Sequence, residues 1–587
     1  MRYGLRCKPF FVSCSEGGLE LLHEAANQPC IVQSDLTVLL ETEHPLSQEA
    51  KELLFHIAEL VKSPANIHTY RITTLSLWNA ASAGMTSEVV IQELRRFAKW
   101  DVPAKVQQQI KLWMGRYGSL KIELHGEDLL LIAMHDSIID EFIEERSIQT
   151  YIEKRLDSMT IRLKRHARGL MKQELTRLGY PVLDAIGFHE GKSLPFGFNR
   201  GQELSRPFAL RPYQEQAVQA FKGEDGGGYG GSGVVVLPCG AGKTVVGMGV
   251  MEQFQCETLI LTTNVTSVRQ WKAEIMSKTS LTEEDIGEYT GSSKVVKPVT
   301  IATYQILTHR KQKADPFVHM QLFLERDWGL IVYDEVHLLP APVFRATADI
   351  QATRRLGLTA TLIREDGCEK DVFSLIGPKR YEMPWKELEH QGWIATVNCS
   401  EIRVPLYAPN QELYWRADAK SKFRIAGENP AKMDVIRRLL EQHEGKPTLI
   451  IGQYLDQLGE IAAELQAPLM TGTTPQAKRQ ELYDGFKRGE IPLLVVSKIA
   501  NFAVDLPDAA VAIQVSGSYG SRQEEAQRLG RILRPKVGEN TAYFYTLVSG
   551  DTKEQEFALK RQLFLVEQGY SYDIQNISRV TKEAAAT

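Results

Sequence analysis

The fold of this chain is decided by residues 234–249, whose sequence is Val-Val-Val-Leu-Pro-Cys-Gly-Ala-Gly-Lys-Thr-Val-Val-Gly-Met-Gly. The run of β-branched residues at its beginning predicts a buried strand, and the residues from Lys243 onward predict a helix. Between the two, Gly240 and Gly242 allow a tight turn in which backbone N–H groups surround phosphate oxygens at the helix N-terminus. The segment therefore predicts a phosphate-binding loop between a strand and a helix.

The loop also has the side chains that nucleotide binding requires. Lys243 can reach the β- and γ-phosphates, and the Thr244 hydroxyl can bind Mg²⁺. The pattern departs from the full G-x-x-x-x-G-K-S/T form, because Leu237 occupies the position of the first glycine. A glycine-rich turn with a surface lysine is the alternative, which the strand, the helix and the Lys-Thr pair disfavour. With ATP and Mg²⁺ as ligands, the predicted binding residues of the loop are Gly240, Ala241, Gly242, Lys243 and Thr244.

A further candidate for nucleotide binding lies upstream, in the segment Leu210-Arg-Pro-Tyr-Gln-Glu-Gln216. Gln214 has an amide that can form hydrogen bonds with the edge of an adenine ring. A glutamine on a helix surface is the alternative interpretation.

The composition is that of an ordinary soluble globular protein, with 43% hydrophobic and 24% charged residues. A length of 587 residues predicts roughly three or four domains. The net charge of −4 gives no global sign of nucleic-acid binding, so such a surface has to be local. The seven cysteines form no C-x-x-C pair, which argues against a zinc site and for a reducing compartment. Because the sequence shows neither a signal peptide nor a membrane span, we expect a cytoplasmic protein.

Residues 28–124 mix the patterns of short strands and amphipathic helices, which favours an interaction domain without catalysis. Helices followed by a hairpin also fit a winged-helix module. The predicted elements are a strand at Ile31–Glu41, a helix capped by Ser47, a helix from Thr86 to about Lys99, a helix from Gln107 to Tyr117, and a hairpin of Ser119–Leu124 with Leu129–His135.

A basic stretch follows within residues 136–180, a region whose pattern predicts helices. The stretch Lys154–Arg177 contains eight lysines and arginines against two acidic residues, Asp157 and Glu174. This local excess makes a phosphate-binding surface a candidate, and a solvated helix face is the alternative. Residues 181–206, rich in Gly, Pro and Phe, are predicted to link this region to the next one. The basic residues are Lys154, Arg155, Arg162, Lys164, Arg165, Arg168, Lys172 and Arg177.

Downstream of the phosphate-binding loop, short apolar strands alternate with helical segments, and this alternation predicts a parallel sheet. One of these strands ends in Asp334 and Glu335. Asp334 is predicted to hold Mg²⁺ through water, and Glu335 to polarise the attacking water. His337 is a candidate sensor of the γ-phosphate, with a structural role as the alternative. The predicted strands are Thr258–Thr262, Val299–Ala302, Gly329–Tyr333 and Arg355–Leu358.

A second α/β unit is predicted from residue 433 onward, with strands at Pro447–Gln453 and Leu493–Ser497. Its sequence Gln527-Arg-Leu-Gly-Arg-Ile-Leu-Arg534 places two arginines, Arg531 and Arg534, one turn apart on a predicted helix. Two guanidinium groups so placed suit the charge that develops on a phosphoryl group during its transfer. The residues before this unit, 398–432, interleave basic and aromatic side chains, and a charged linker is one interpretation of this stretch.

Four motifs follow one another along the chain: the loop with Lys243, Asp334-Glu-Val-His337, Leu358-Thr-Ala-Thr361, and Arg364-Glu-Asp366. Together with Trp271, they resemble the XPB-type (xeroderma pigmentosum group B) DNA repair helicases of superfamily 2, in a prokaryotic-like form. The segments 31–40 and 70–80 resemble the N-terminal domain of that family, so the resemblance spans nearly the whole chain.

The resemblance implies an α/β fold with two RecA-like parallel-sheet domains in tandem, preceded by smaller α+β N-terminal domains. It implies an ATP-dependent 3′-to-5′ helicase or translocase on double-stranded or forked DNA, which works in nucleotide excision repair beside a nuclease or other repair factors. The residues it assigns to hydrolysis are Lys243, Asp334, Glu335, Arg531 and Arg534, and those it assigns to DNA coupling are His337, Thr359, Thr361, Arg364, Glu365, Asp366 and Gln527.

Three alternatives stay open at this point: an RNA helicase, a duplex translocase that never separates strands, and an ATP-gated scaffold without turnover. The Arg-Glu-Asp triplet and the N-terminal domain argue against the first, and the complete catalytic set argues against the third. The expected domains are an accessory domain at 1–125, a basic domain for DNA damage recognition at 126–203, a first RecA-like domain at 204–388, a linker or short DNA-gripping thumb at 389–432, and a second RecA-like domain at 433–587.

Overall fold

The structure is a computed structural model that forms two compact units. One unit comprises Met1–Ala80 with Met85–Met114, and the other comprises Ala81–Gly84 with Gly115–Thr587. None of the helices in the described part of the chain combines the length and the apolar character needed to cross a membrane. The described residues are 28–64, 66–199, 208–223, 230–312, 315–351, 353–362, 369–497, 509–517, 528–530, 532–533 and 540–577.

The smaller unit contains a four-stranded antiparallel sheet in the order β1-β2-β4-β3. The prediction of one strand over Ile31–Glu41 is wrong, because the chain turns back within it. Leu36 has a φ of 70°, and Asp35 Oδ1 accepts a hydrogen bond of 3.0 Å from the Thr37 N–H. The strands are β1 (Cys30–Val32), β2 (Thr37–Glu41), β3 (Glu59–Lys62) and β4 (Ile67–Arg71).

The predicted helices of this region are present, with shifted ends. Thr86 is confirmed as a cap, since its Oγ1 accepts a hydrogen bond of 3.3 Å from the Val89 N–H. Ser47 is the first residue of its helix rather than the residue that caps it. The helices are Ser47–Ile57, Thr74–Ser82, Ser87–Phe97 and Ala104–Arg116.

The larger unit begins with a five-stranded sheet in the order β7-β8-β6-β5-β9. The predicted hairpin is confirmed as β5 and β6. It is not the wing of a winged-helix module, because β6 also pairs with β8 and β5 with β9. The expected domain boundary at residue 125 falls between the two strands of this hairpin. The strands are β5 (Leu120–His125), β6 (Asp128–Ala133), β7 (Ile152–Arg155), β8 (Thr160–Leu163) and β9 (Val182–Asp184).

Residues 136–180 were predicted to be helical throughout, and this is wrong for the part that forms β7 and β8. The predicted link at 181–206 likewise begins with β9, which is a strand of the same sheet. These strands are only three or four residues long, and β7 contains a single apolar residue, Ile152, so the alternation is too short to give a clear signal. The helices of the region are Asp136–Phe142, Arg146–Gln149 and Arg168–Arg177.

Most of the charges of the basic stretch are paired with carboxylates, which lie in its own domain except for Asp371. Asp184 accepts charge-assisted hydrogen bonds of 2.9 Å from both Arg168 and Lys172, which are buried. This pattern favours a structural role for these charges over a continuous phosphate-binding surface. The other ion pairs join Arg155 to Asp140, Arg162 to Asp128, Arg165 to Glu127, and Arg177 to Glu174 and Asp371.

The first of the two expected RecA-like domains, called the first motor domain below, is built on a seven-stranded parallel sheet. The strand order is β12-β13-β11-β14-β15-β10-β16. All four strands predicted downstream of the phosphate-binding loop are confirmed, and β12 and β16 were not foreseen. The strands are β10 (Ser232–Val236), β11 (Thr258–Thr262), β12 (Ile286–Tyr289), β13 (Val299–Thr303), β14 (Leu330–Asp334), β15 (Arg354–Thr359) and β16 (Lys379–Glu382).

Helices cover both faces of this sheet, as a parallel sheet requires. Short 3₁₀ segments occur at Val318–Leu324 and Val336–Leu338. The α-helices are Pro212–Lys222, Lys243–Phe254, Val265–Lys278, Tyr304–Leu307, Ala341–Asp349, Glu369–Leu375 and Trp385–His390.

The second motor domain has a seven-stranded parallel sheet in the order β19-β20-β18-β21-β22-β17-β23. The predicted strands at 447–453 and 493–497 are confirmed as β18 and β20. The strands are β17 (Thr396–Val404), β18 (Thr448–Gly452), β19 (Leu469–Met470), β20 (Leu493–Ser497), β21 (Val511–Gln514), β22 (Thr541–Ser549) and β23 (Tyr572–Asn576).

The expectation of a linker or thumb at 389–432 is wrong for its first part, because β17 belongs to this second sheet. It pairs with β22 on one side and with β23 on the other. Two helices, Ala408–Arg416 and Ala419–Gly427, occupy the rest of the stretch. The remaining helices of the domain are Lys432–Gln442, Leu455–Glu464, Gln476–Lys487 and Lys553–Glu567.

A buried ion pair joins two helices of the second motor domain. The side chains of Lys432 and Glu554 are each 1% exposed, and their charged atoms lie 2.9 Å apart. Lys432 Nζ also donates to Val515 O at 2.8 Å, and Glu554 Oε2 accepts from the Ser549 N–H at 2.9 Å. Because every partner is buried, loss of one charge leaves the other without compensation.

We predict that Lys432→Met destabilises the protein by about 3–5 kcal/mol, since it leaves the Glu554 carboxylate buried and unpaired. Adding Glu554→Gln should recover much of this loss, because the neutral amide still accepts from Ser549. Urea denaturation followed by circular dichroism measures both changes.

The matched control is Lys478→Met, which removes one partner of an exposed ion pair with Glu481. This change should cost less than about 1 kcal/mol. Equal stability of Lys432→Met and the control would contradict the prediction.

Candidate active site

Three neighbouring strands bring the predicted site residues to one edge of the first motor sheet. β10, β15 and β14 are parallel neighbours, with Val236 opposite Thr359 and Leu358 opposite Asp334. The segments that follow these strands therefore emerge side by side at the carboxyl edge, where open α/β sheets bind their ligands.

The phosphate-binding loop has the predicted conformation. Gly240 and Gly242 have φ angles of 81° and 79°, and the helix begins at Lys243 directly after them. The positive φ of Gly242 favours glycine, and a Cβ atom there would also lie 2.6 Å from Gln214 Nε2. The loop thus presents a helix N-terminus and a close-packed backbone to a phosphate group.

Two side chains of the helix Pro212–Lys222 form hydrogen bonds with the backbone of this loop. The Tyr213 hydroxyl donates to Ala241 O at 2.6 Å, and Gln214 Nε2 donates to the same oxygen at 3.0 Å. Gln214 Oε1 in turn accepts from the Arg211 N–H at 2.9 Å. Gln214 is buried rather than on a helix surface, and both ends of its amide are bonded to protein. The contact of Gln214 with adenine stays a prediction. Sequence reasoning missed Tyr213, because its only signal in the sequence is its position next to Gln214.

The acidic pair lies at the end of β14, where Asp334 is held by two aromatic residues. Trp271 Nε1 donates to Asp334 Oδ2 at 3.0 Å, and the Tyr304 hydroxyl donates to Asp334 O at 2.9 Å. Burial of the carboxyl group and the nearby charge of Glu335 raise the pKa of Asp334 to about 6. A cation placed beside this carboxylate would lower that pKa again, which suits a ligand of a divalent metal ion.

A chain of polar contacts runs from the phosphate-binding loop to the end of β15. Lys243 Nζ lies 3.8 Å from Glu335 Oε1, and Glu335 Oε2 lies 3.5 Å from His337 Nδ1. His337 Nδ1 is 2.7 Å from Thr359 Oγ1, whose hydroxyl donates to Thr361 O at 2.5 Å. Because Thr359 gives its only proton to Thr361, we assign the proton of the 2.7 Å contact to His337 Nδ1.

Glu335 adopts a backbone conformation that is rare for a residue with a side chain. Its φ and ψ angles are 50° and 53°, in the left-handed region. Such a conformation costs of order 1–3 kcal/mol and is found where a site needs a particular side-chain direction. Here it directs the carboxylate of Glu335 between Lys243 and His337.

Six predicted site residues lie outside the described residues: Arg364, Glu365, Asp366, Gln527, Arg531 and Arg534. The described residues next to the arginines, 528–530 and 532–533, belong to the second motor domain. Gly530 lies against Cys239 of the phosphate-binding loop, so this segment reaches the loop of the first domain. Arg528 is buried and donates to Gln514 Oε1 at 2.7 Å.

The arrangement can bind a polyphosphate and activate a water molecule. A glycine loop, an ammonium group and a hydroxyl are combined with two carboxylates, one of which accepts a hydrogen bond from Trp271. Of the predicted residues, the structure brings together Lys243, Asp334, Glu335, His337, Thr359 and Thr361, and it adds Trp271, Tyr304 and Tyr213.

Three family models match successive parts of the chain. The model described as ERCC3/RAD25/XPB C-terminal helicase matches residues 388–586. The model described as type III restriction enzyme, res subunit, matches residues 207–364, and the model described as helicase conserved C-terminal domain matches residues 30–157.

Curated relatives are similar over nearly the whole chain. A DNA 3′-5′ helicase XPB of Kineococcus radiotolerans is 50% identical over 550 residues, which cover 93% of this chain and 96% of the relative. The protein of the same name from Mycobacterium tuberculosis is 48% identical over 551 residues, with 93% and 98% covered. The general transcription and DNA repair factor IIH helicase/translocase subunit XPB of Drosophila melanogaster is 30% identical over 638 residues, with 95% and 79% covered. With such identity over almost its full length, this chain belongs to the XPB family of helicases.

Proposed function

We propose that this chain is an ATP-dependent 3′-to-5′ DNA helicase that hydrolyses ATP between its two RecA-like domains and moves along or opens DNA. The observation that carries the proposal is the polar chain from Lys243 through Glu335 and His337 to Thr359. These polar contacts link the phosphate-binding loop to the segment ahead of the Arg-Glu-Asp triplet. A change at the nucleotide can therefore alter the part of the motor that contacts DNA.

ATP would be held by the loop of residues 240–244, with Lys243 at its phosphates. Thr244 and Asp334 supply the hydroxyl and carboxylate oxygens that Mg²⁺ accepts beside nucleotide phosphates, so the donor set fits the ion. When bound, Mg²⁺ would neutralise charge on the transferring phosphoryl group. The role of Gln214 toward adenine is part of this proposal.

Glu335 would polarise the attacking water, and Arg531 and Arg534 of the second domain would stabilise the charge of the transition state. His337, Thr359 and Thr361 would transmit the state of the nucleotide. Gln527 and the triplet Arg364-Glu-Asp366 would act on DNA. With these roles, the DEVH box at 334–337 would couple ATP hydrolysis to movement along DNA, as in superfamily 2 helicases.

The wider role follows from the family. We propose that the chain acts in the cytoplasm on double-stranded or forked DNA during nucleotide excision repair, together with a nuclease or other repair factors. The Mycobacterium tuberculosis and Kineococcus radiotolerans relatives carry the DNA 3′-5′ helicase name, which disfavours an RNA helicase. A duplex translocase without strand separation is the second candidate, because the Drosophila relative carries the double name helicase/translocase.

The test is ATPase activity measured without nucleic acid and with single-stranded DNA, forked duplex DNA and RNA, beside an unwinding assay on the forked duplex. The proposal expects stimulation by DNA over RNA and ATP-dependent unwinding. Stimulation by duplex DNA without unwinding would favour the translocase, and no turnover at all would favour a scaffold.

For hydrolysis, Glu335→Gln should keep ATP binding but lower turnover by roughly a hundredfold or more, because water activation is lost while the phosphate cradle is intact. Lys243→Ala is the comparison variant, in which ATP binding should weaken as well. Binding is measured with a fluorescent ATP analogue and turnover by phosphate release. Turnover near the wild-type rate in Glu335→Gln would show that another group activates the water.

For the arginines, Arg531→Ala should lower kcat far more than it raises the Kd for ATP, because the contact strengthens only as charge develops in the transition state. Steady-state ATPase kinetics and a binding titration separate the two effects. Equal losses in both would place Arg531 in ground-state binding.

For strand separation, the double variant Arg364→Ala with Glu365→Ala should retain basal ATPase activity and lose unwinding of a forked duplex. The expected reason is that the triplet parts the strands, while the ATP site is formed by other residues. Both assays are run on folded protein checked by circular dichroism. Unwinding at the wild-type rate would exclude a wedge, and parallel loss of both activities would assign the triplet to coupling.

A further inference from the structure

The two motor domains are in close contact at Gly530, where an added side-chain atom would overlap the opposite domain. Gly530 of the second domain packs against Cys239 of the phosphate-binding loop. A Cβ atom at Gly530 would lie 2.2 Å from Cys239 Cβ and 2.8 Å from its Sγ. Real Cβ atoms essentially never approach another atom closer than 3.0 Å, so the absence of a side chain at Gly530 permits this approach.

The second domain resists displacement at this contact, because the described residues next to Gly530 are fixed by packing and hydrogen bonds. Leu529, Ile532 and Leu533 are fully buried in the hydrophobic cluster that also contains Leu237 and Ala241 of the loop. Leu533 O accepts a hydrogen bond of 2.8 Å from the Ala395 N–H, and Arg528 is tied to Gln514. A displacement of Gly530 would therefore disturb packing and hydrogen bonds over several residues.

The first domain is equally constrained. Ala241, two residues after Cys239, is held through its carbonyl oxygen by Tyr213 and Gln214. Gly240 between them is in the left-handed region, with a φ of 81°. Gly530 thus meets the Cβ and Sγ atoms of Cys239, and the constrained backbone of the loop leaves that Cβ atom little freedom to move away.

We propose that the contact of Gly530 with Cys239 sets the closest approach of the two RecA-like domains, and that Gly530 is a positioning residue for ATP hydrolysis. This inference rests on the proposed function, since Arg531 is the next residue of the chain. A side chain at position 530 would hold the domains apart and keep the arginine from the phosphates. ATP binding, which uses residues of the first domain, would persist.

The first test is Gly530→Ala, for which we expect kcat to fall by about 10- to 100-fold, the cost of displacing a catalytic group by about 1 Å. KM for ATP should change by less than about threefold, because the arginine acts on the transition state. The control is Gly459→Ala, in a helix of the same domain where an added Cβ meets nothing within 4 Å. Wild-type kcat in Gly530→Ala would overturn the proposal.

Compensating substitutions at positions 530 and 239 distinguish this positioning role from misfolding of the variant. Adding Cys239→Gly to Gly530→Ala removes the opposing Cβ and should restore kcat to within about threefold of Cys239→Gly alone, as expected for directly coupled positions. Adding Cys239→Ala keeps the Cβ, so it should restore little. Equal rescue by both changes, or rescue by neither, would overturn the proposal.

A readout that does not depend on activity completes the test. The rate at which N-ethylmaleimide alkylates Cys239, followed by mass spectrometry of the peptide, should rise at least about fivefold in Gly530→Ala over wild type and Gly459→Ala, because access controls thiol reactivity. An unchanged rate would overturn the inference. Absence of DNA-stimulated ATPase in the wild-type protein would overturn the proposed function instead. The alkylation rates would then still test the contact of Gly530 with Cys239.

Discussion

The constraint on which the motor depends is that neighbouring parallel strands end at the same edge of a sheet. β10, β15 and β14 are adjacent, and each ends in residues that carry chemistry: the phosphate-binding loop, Thr359 with Thr361, and Asp334 with Glu335. A hydrogen-bonded ladder of backbone atoms thereby sets distances between side chains that are far apart in sequence. The three strands are almost fully buried, so the side chains at their ends are positioned before any ligand arrives.

The electrostatics of the site follow from this enforced proximity. Lys243 is a cation beside two carboxylates, and Glu335 shares its two oxygens between Lys243 and His337. An incoming phosphate competes with Glu335 for the ammonium group, because both are anions. A phosphate bound at the loop would therefore weaken the contact of Lys243 with Glu335, whose other carboxylate oxygen lies beside His337. The strained backbone of Glu335 and the hydrogen bonds of Trp271 and Tyr304 to Asp334 restrict how far the acids can move in response.

Sequence reasoning predicted the elements whose signals are local. The phosphate-binding loop, the strands that end near Asp334 and Thr359, and the Thr86 cap depend on neighbouring residues, and all are present. β17 was missed because its stability comes from β22 and β23, which lie far along the chain. The turn at Leu36 was missed because it places a leucine at positive φ, where glycine or asparagine would have given a signal. Tyr213 and Tyr304 were not foreseen as site residues, since tertiary packing alone brings their hydroxyl groups to the loop and to Asp334.

β17 leaves the ribosome long before the two strands that flank it. Synthesis of the residues between Val404 and the end of β23 takes roughly 10–30 s at ordinary rates of translation. During that interval, the nascent second domain presents an unpaired strand whose apolar side chains are buried on both faces of the finished sheet, Val397 and Cys399 on one and Ile402 and Val404 on the other. β17 is therefore covered on its second side only when β23, the last strand of the described residues, emerges, and a chain truncated before β23 leaves β17 as an exposed sheet edge that is prone to aggregation.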